Sequence, residues 1–205
     1  MKTQVWAHRG ASAYAPENTL EAFRLAAEMG ADGVELDVQL SRDGELVVAH
    51  DETIDRVSNG TGYIKDYTLA QLKKLSFNRL FLKFKDVRIP TLKEVYELLK
   101  PAGLTVNVEL KTGIILYPEI EEKVLALTAS MGMEDRVIYS SFCHPSLVRL
   151  KELDSALRQG FCTRTAGLAR QTMGGVQWGW MPCIRPCTTC RIRILSRLPE
   201  GRDWQ

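Results

Sequence analysis

Apolar runs suited to strands begin near Val5, Val34, Val106 and Val137, and each is followed by a stretch with helical periodicity. That alternation predicts parallel strands covered by helices, an α/β architecture whose reactive groups gather at the carboxyl ends of the strands. The intervals between the starts are 29, 72 and 31 residues. Two of them match one strand–helix unit. The long one equals such a unit plus roughly 40 inserted residues, read as an excursion over 51–89 after the second strand.

Local signals place the elements. Val5 to Ala7 runs into His8-Arg9-Gly10, a strand closing into a loop. Asn18 and Glu21 have the spacing of a capping box, so Glu17 and Asn18 are expected to shape the loop and cap a helix that Gly30 ends. From Gly33 to Leu40 the chain alternates, with Val34, Leu36, Val38 and Leu40 on one side and Glu35, Asp37 and Gln39 on the other. Arg42-Asp43-Gly44 turns it into a second apolar run, Leu46 to Ala49, which stops at His50. Thr68 with Gln71 and Thr91 with Glu94 are two further capping boxes. Leu104 to Leu110 and Val137 to Ser140 are predicted strands; Tyr117 to Met131 and Pro145 to Asp154 are predicted helices.

The side chains able to do chemistry fall where such a fold builds a site: His8, Glu35 with Asp37, His50, and Glu109 with Lys111. Glu35 and Asp37 are two apart on a strand, as are Glu109 and Lys111, so each pair shares one face. Both faces of a parallel strand are normally covered, and carboxylates buried there need a partner. Three carboxylates without cysteine favour a hard divalent cation, Mg²⁺ or Ca²⁺, over zinc. Two histidines exchange protons near neutral pH. His144 precedes Pro145 at a helix start and is left out of the site; Asp51, beside His50, is not given an orienting role.

His8-Arg9-Gly10, Pro16-Glu17-Asn18-Thr19, Glu35-Leu36-Asp37, His50-Asp51 and Glu109-Leu110-Lys111, in this order, resemble the glycerophosphodiester phosphodiesterases over roughly residues 4 to 160. The resemblance implies a TIM-type (β/α) barrel with an insertion after its second strand. It also implies one bound divalent cation and hydrolysis of a small-molecule glycerophosphodiester to glycerol 3-phosphate and an alcohol, in lipid and glycerol metabolism. Glu35, Asp37 and Glu109 would hold the metal, and His8 and His50 would be the acid and base. Arg9 and Lys111, with the cation, would offset the phosphodiester's negative charge.

Charge divides the chain near Gly160. Residues 1–160 hold 20 Lys+Arg against 23 Asp+Glu, whereas 161–205 hold 7 Arg, no Lys and 2 acids, so no global positive field recommends a nucleic acid as partner. Four of the five cysteines and three of the four tryptophans also lie in 161–205, where no amphipathic period is traced. We read 161–205 as an atypical tail, not a domain, with an altered or out-of-frame ending. The rival for it is a soft-metal site at Cys183, Cys187 and Cys190. A complete barrel has eight strands in about 250 residues. Only about four units are counted by Gly160, so the expectation is an incomplete barrel over 1–160 that self-associates through exposed edges. The alternative to an enzyme is an inactive or weakly active half-barrel serving as a binding or assembly subunit. No apolar run of membrane-spanning length occurs, and Cys143 is the only cysteine before residue 161. The expected setting is therefore the cytoplasm, with no membrane span.

Overall fold

The computed structural model describes residues 4–161 and 192–195. Four strands stand where the apolar runs predict them: β1 (Gln4–His8), β2 (Gly33–Leu40), β4 (Thr105–Leu110) and β5 (Val137–Ser141). The short β3 (Leu46–Val48) doubles back antiparallel on β2, through the turn at Arg42-Asp43-Gly44. Two strands were not anticipated, β6 (Gln159–Phe161) beside β5 and β7 (Ile192–Leu195) beside β1. Runs of three and four residues are too short for a period to register. The parallel order is β6-β5-β4-β2-β1-β7, and among the described residues the sheet is open, with β6 and β7 at its edges. The rest of 162–205, including Cys183, Cys187 and Cys190, lies outside the described residues.

Helices α1 (Leu20–Glu28), α3 (Leu92–Leu99), α4 (Ile120–Met131) and α5 (His144–Leu153) follow the parallel strands β1, β2, β4 and β5. Val34, Leu36 and Val38 of β2 join Phe23 of α1, Val95 and Leu99 of α3, and Ile120 and Val124 of α4 in one buried cluster. Full burial of a side chain the size of Phe23 stabilises by about 1.5–3 kcal/mol. The apolar core therefore occupies the helix side of the sheet, and the alternation in β2 sends Glu35, Asp37 and Gln39 to its other face. All three are buried there as well.

Two boundaries depart from expectation for local reasons. Helix α1 is capped by Thr19, whose side chain accepts from the Ala22 N–H, and not by Asn18. Helix α4 begins three residues after Tyr117, because Glu119 adopts φ +60, a left-handed conformation that helical residues do not take. Both capping boxes in the later helices form, at Thr68 before α2 (Leu69–Leu72) and at Thr91 before α3.

The excursion after β3 has its own small core, in which Ile54, Ile64, Leu72, Phe77, Val87 and Ile89 pack with Val47. Bridges Val47↔Thr91 and Thr53↔Tyr63 tie it to the sheet and to itself. Among the described residues no helix is long and apolar enough to cross a membrane.

Gly10 shows how closely the first loop is drawn in. Its φ is +75, and a Cβ there would lie 2.7 Å from the backbone carbon of Ala22 in α1. Gly10→Ala is expected to lower stability by about 2 kcal/mol, from the left-handed backbone and from contact with an atom that cannot swing away. The midpoint of urea unfolding at constant slope measures it; an unchanged midpoint would show that the loop has room to relax.

Candidate active site

Strand register assembles the polar face. His8 lies opposite Glu35 across β1 and β2, and Asp37 lies opposite Glu109 across β2 and β4. The chain then turns sharply after His8, with Arg9 at φ +56 and Gly10 at φ +75. A non-glycine residue in that region costs about 1–2 kcal/mol, which the surrounding contacts must offset. The return is specific: the Arg9 N–H donates to Glu35 Oε2 at 3.0 Å, and Arg9 Nε stands 3.5 Å from Asp37 Oδ2. Lys111, one residue past β4, places Nζ 3.2 Å from Glu109 Oε1 and 3.7 Å from Asp37 Oδ1.

Glu35, Asp37 and Glu109 each offer a carboxylate oxygen within 4.8 Å of the other two, and all three are buried. Burial and the charges of Asp37 and Glu109 raise the Glu35 pKa well above the carboxylate range; burial and Asp37 raise that of Glu109. Burial works against the Lys111 ammonium, but Asp37 and Glu109 outweigh it and hold its proton more firmly. Glu35 Oε1 is buried and takes part in no hydrogen bond. Orphaned buried carboxylate oxygen beside two more carboxylates is an arrangement that a hard divalent cation would satisfy and that an apolar ligand would not. The donor set is all oxygen, which fits Mg²⁺ or Ca²⁺ and lacks the thiolate or imidazole ligands usual for zinc.

The two histidines border this cluster. His8 Nε2 is 3.7 Å from Glu35 Oε2, and burial, helped by Arg9, lowers its pKa to about 4. His50 follows β3, and its Nδ1 sits 2.6 Å from Asp51 Oδ1. A positive charge at His50 would lower the pKa of both His8 and Glu109, which places its ring within electrostatic reach of both.

The structure thus gathers Glu35, Asp37, Glu109, Lys111, Arg9, His8 and His50 at one end of the sheet. It also adds residues that sequence reasoning passed over. Asn18, buried and left-handed at φ +56, donates from Nδ2 to Asp37 Oδ2 at 2.9 Å, and its Oδ1 is buried without a hydrogen bond. Asn18 and Thr19 are adjacent candidates for one cap, and once Thr19 takes it Asn18 is free to face the site; that redundancy was the available signal. Asp51 does contact the His50 ring, and Glu17 holds Arg9 Nη1 at 3.0 Å. Arg56, which lies in the excursion over 51–89, contacts Glu17 and Asp51.

Comparison with known proteins follows the same residues. The family model described as the glycerophosphoryl diester phosphodiesterase family matches residues 8–178, which extends beyond the stretch of roughly 4 to 160 that carries the motif resemblance. A glycerophosphodiester phosphodiesterase of Caldanaerobacter subterraneus subsp. tengcongensis is 53% identical over 161 residues, covering 78% of this chain and 66% of its own length. The crystal structure of a glycerophosphodiester phosphodiesterase from Agrobacterium tumefaciens matches at 36% identity and TM-score 0.72, over 80% of this chain and 68% of that one. An Oleispira antarctica phosphodiesterase, solved in complex with the product sn-glycerol-3-phosphate, matches at 35% identity and TM-score 0.68, over 78% of this chain and 66% of that one. The chain therefore spans about two thirds of the length of these relatives. The likeness identifies the open sheet as an arc of a TIM-type (β/α) barrel.

Proposed function

Because the chain belongs to the glycerophosphoryl diester phosphodiesterase family, we propose that it hydrolyses glycerophosphodiesters to glycerol 3-phosphate and an alcohol, with one divalent cation, Mg²⁺ or Ca²⁺, held by Glu35, Asp37 and Glu109. The observation that carries the reading is the convergence of three buried carboxylates beside two histidines at the strand ends. A bound cation would polarise a phosphoryl oxygen and offset negative charge in the transition state. Arg9 and Lys111 add fixed positive charge on the same side and orient the phosphodiester. His8 and His50 supply the base that takes a proton from the attacking water, whose oxygen forms the new P–O bond, and the acid that gives one to the departing alkoxide. Asp51 keeps the proton of His50 on Nδ1, which leaves Nε2 as the exchanging atom. Asn18 steadies Asp37 by a hydrogen bond that would orient the carboxylate toward a bound cation.

Cytoplasmic action in lipid and glycerol metabolism belongs to the same proposal, supported by the single cysteine, Cys143, in residues 1–160. So do the division into a catalytic part over 1–160 and an atypical tail, and association of copies through the sheet edges β6 and β7.

The purified 205-residue chain, free of host enzyme, is expected to release glycerol 3-phosphate from glycerophosphocholine in the presence of Mg²⁺ or Ca²⁺, to stop with EDTA, and to recover on adding excess cation. Turnover unaffected by EDTA would remove the cation from the mechanism. Cation binding without any turnover would favour the second reading, a binding or assembly subunit.

A further inference from the structure

Arg9, Glu17, Arg56, Asp51 and His50 form an unbroken series of contacts across the turn after β1, the loop before α1 and the start of the excursion. Arg56 Nη1 donates to Glu17 Oε2 at 2.9 Å and Nη2 to Glu17 Oε1 at 2.7 Å. Its Nε donates to Asp51 Oδ2 at 2.6 Å, and the other oxygen of Asp51 meets His50 Nδ1 at 2.6 Å. At the far end Glu17 Oε1 also accepts from Arg9 Nη1 at 3.0 Å. A planar guanidinium in a two-point pair fixes direction as well as distance.

Each guanidinium nitrogen of Arg56 already donates to a carboxylate, so this side chain is engaged as a strut and not held open as an anion receptor. Its removal would leave Glu17 and Asp51 as two like charges with the cation between them gone, and Asp51 would lose one of the two bonds that aim it at the imidazole. Burial alone would raise the Asp51 pKa, yet the hydrogen bonds from Arg56 and His50 outweigh it and keep the carboxylate ionised as an acceptor. An isolated ion pair at a surface this exposed would contribute little; here the pair is in series with a ring nitrogen of a reacting residue.

We propose that Arg56 is a positioning residue of the site: it holds Asp51 against His50 Nδ1 and, through Glu17, holds the His8-Arg9 turn, so that the excursion sets the orientation of the His50 ring. This rests on the reading of His50 as an acid or base given under Proposed function. It makes the excursion part of the catalytic apparatus.

Arg56→Gln and Arg56→Lys are compared with Asp51→Asn and with the double variant Arg56→Gln/Asp51→Asn, all in the full chain. In the parent, ¹⁵N spectra of the neutral His50 ring are expected to show one tautomer with the proton on Nδ1. In Arg56→Gln and Arg56→Lys the Nε2-protonated tautomer gains population, since lysine keeps the charge and lacks the fork. Turnover is expected to fall about 10- to 100-fold in kcat with KM changed less than about threefold, and Arg56→Gln should add little to Asp51→Asn. Affinity for Mg²⁺ or Ca²⁺ by calorimetry should change less than turnover does, within about threefold, because Arg56 reaches the clustered carboxylates only through Glu17 and Arg9. An unchanged His50 ring signature in both Arg56 variants would overturn the inference, as would full additivity in the double variant. The ring signature is read without substrate, so it decides the role of Arg56 even if the parent chain turns out not to hydrolyse glycerophosphodiesters. If Arg56→Gln fails to fold, Arg56→Lys carries the same comparison.

Discussion

His8→Ala and His50→Ala are each expected to lower kcat for glycerophosphodiester hydrolysis by about 10²- to 10⁴-fold, the range for losing a general acid or base. Phosphodiester cleavage has two separate obstacles, a nucleophile that must lose a proton and an alkoxide that must gain one, and the site presents two imidazoles beside the carboxylate cluster. His8 lies at the end of β1, against Glu35, and His50 lies beyond β3, against Asp51. The two rings hang from different strand ends and are held by different carboxylates, so one histidine should not substitute for its missing partner. The assay is steady-state release of glycerol 3-phosphate, with calorimetry of Mg²⁺ or Ca²⁺ run on the same preparations. Retained cation binding with lost turnover places the histidines in proton transfer. Parental turnover in either variant would remove that residue from the mechanism.

How far these residues could be found without coordinates depended on whether their signal was local. Glu35 and Asp37 are visible because a strand puts alternate residues on one face, and the apolar residues between them declare the other face buried. Glu109 and Lys111 follow by the same rule. The pairing of Arg56 with Glu17 joins residues 39 apart, through an excursion whose own fold has no periodic pattern, and nothing in either neighbourhood announces it. Asn18 was misread for a different reason: a capping box was the simpler local account, and only the left-handed backbone at Asn18, with Thr19 taking the cap, turns the amide toward Asp37. The strands β6 and β7 were missed because three or four residues paired at a sheet edge owe their conformation to the neighbouring strand more than to their own composition. Alternation, caps and spacing thus report on the arc of the barrel and its inward acids, whereas the network that steadies the histidines is tertiary.

The carboxylate cluster should also be readable as a stability effect, independent of turnover. A ligand that binds only the folded chain stabilises it by about 2.7 kcal/mol at one hundred times its Kd. For a chain of this size that amounts to a rise in Tm of about 5 to 11 °C. Asp37→Ala is expected to abolish the rise, whereas Glu121→Ala, an acid outside the cluster, should leave it intact. Glu35→Gln separates function from folding more sharply. Without cation, Glu35, Asp37 and Glu109 are three acids in a buried space, and Glu35 Oε1 has no hydrogen bond to compensate it. The amide keeps the volume and an oxygen for the Arg9 N–H while removing one potential charge. Cation-free Glu35→Gln protein is therefore expected to be more stable than the parent by about 1–2 kcal/mol, and to gain nothing from added Mg²⁺ or Ca²⁺. Thermal unfolding with EDTA and with saturating cation measures both halves. A parental cation-dependent rise in Asp37→Ala would show that these carboxylates do not hold the ion. A loss of cation-free stability in Glu35→Gln would mean instead that the Glu35 carboxylate is already compensated by its contacts with Arg9 and His8, and that the cluster's strain is not what the cation relieves.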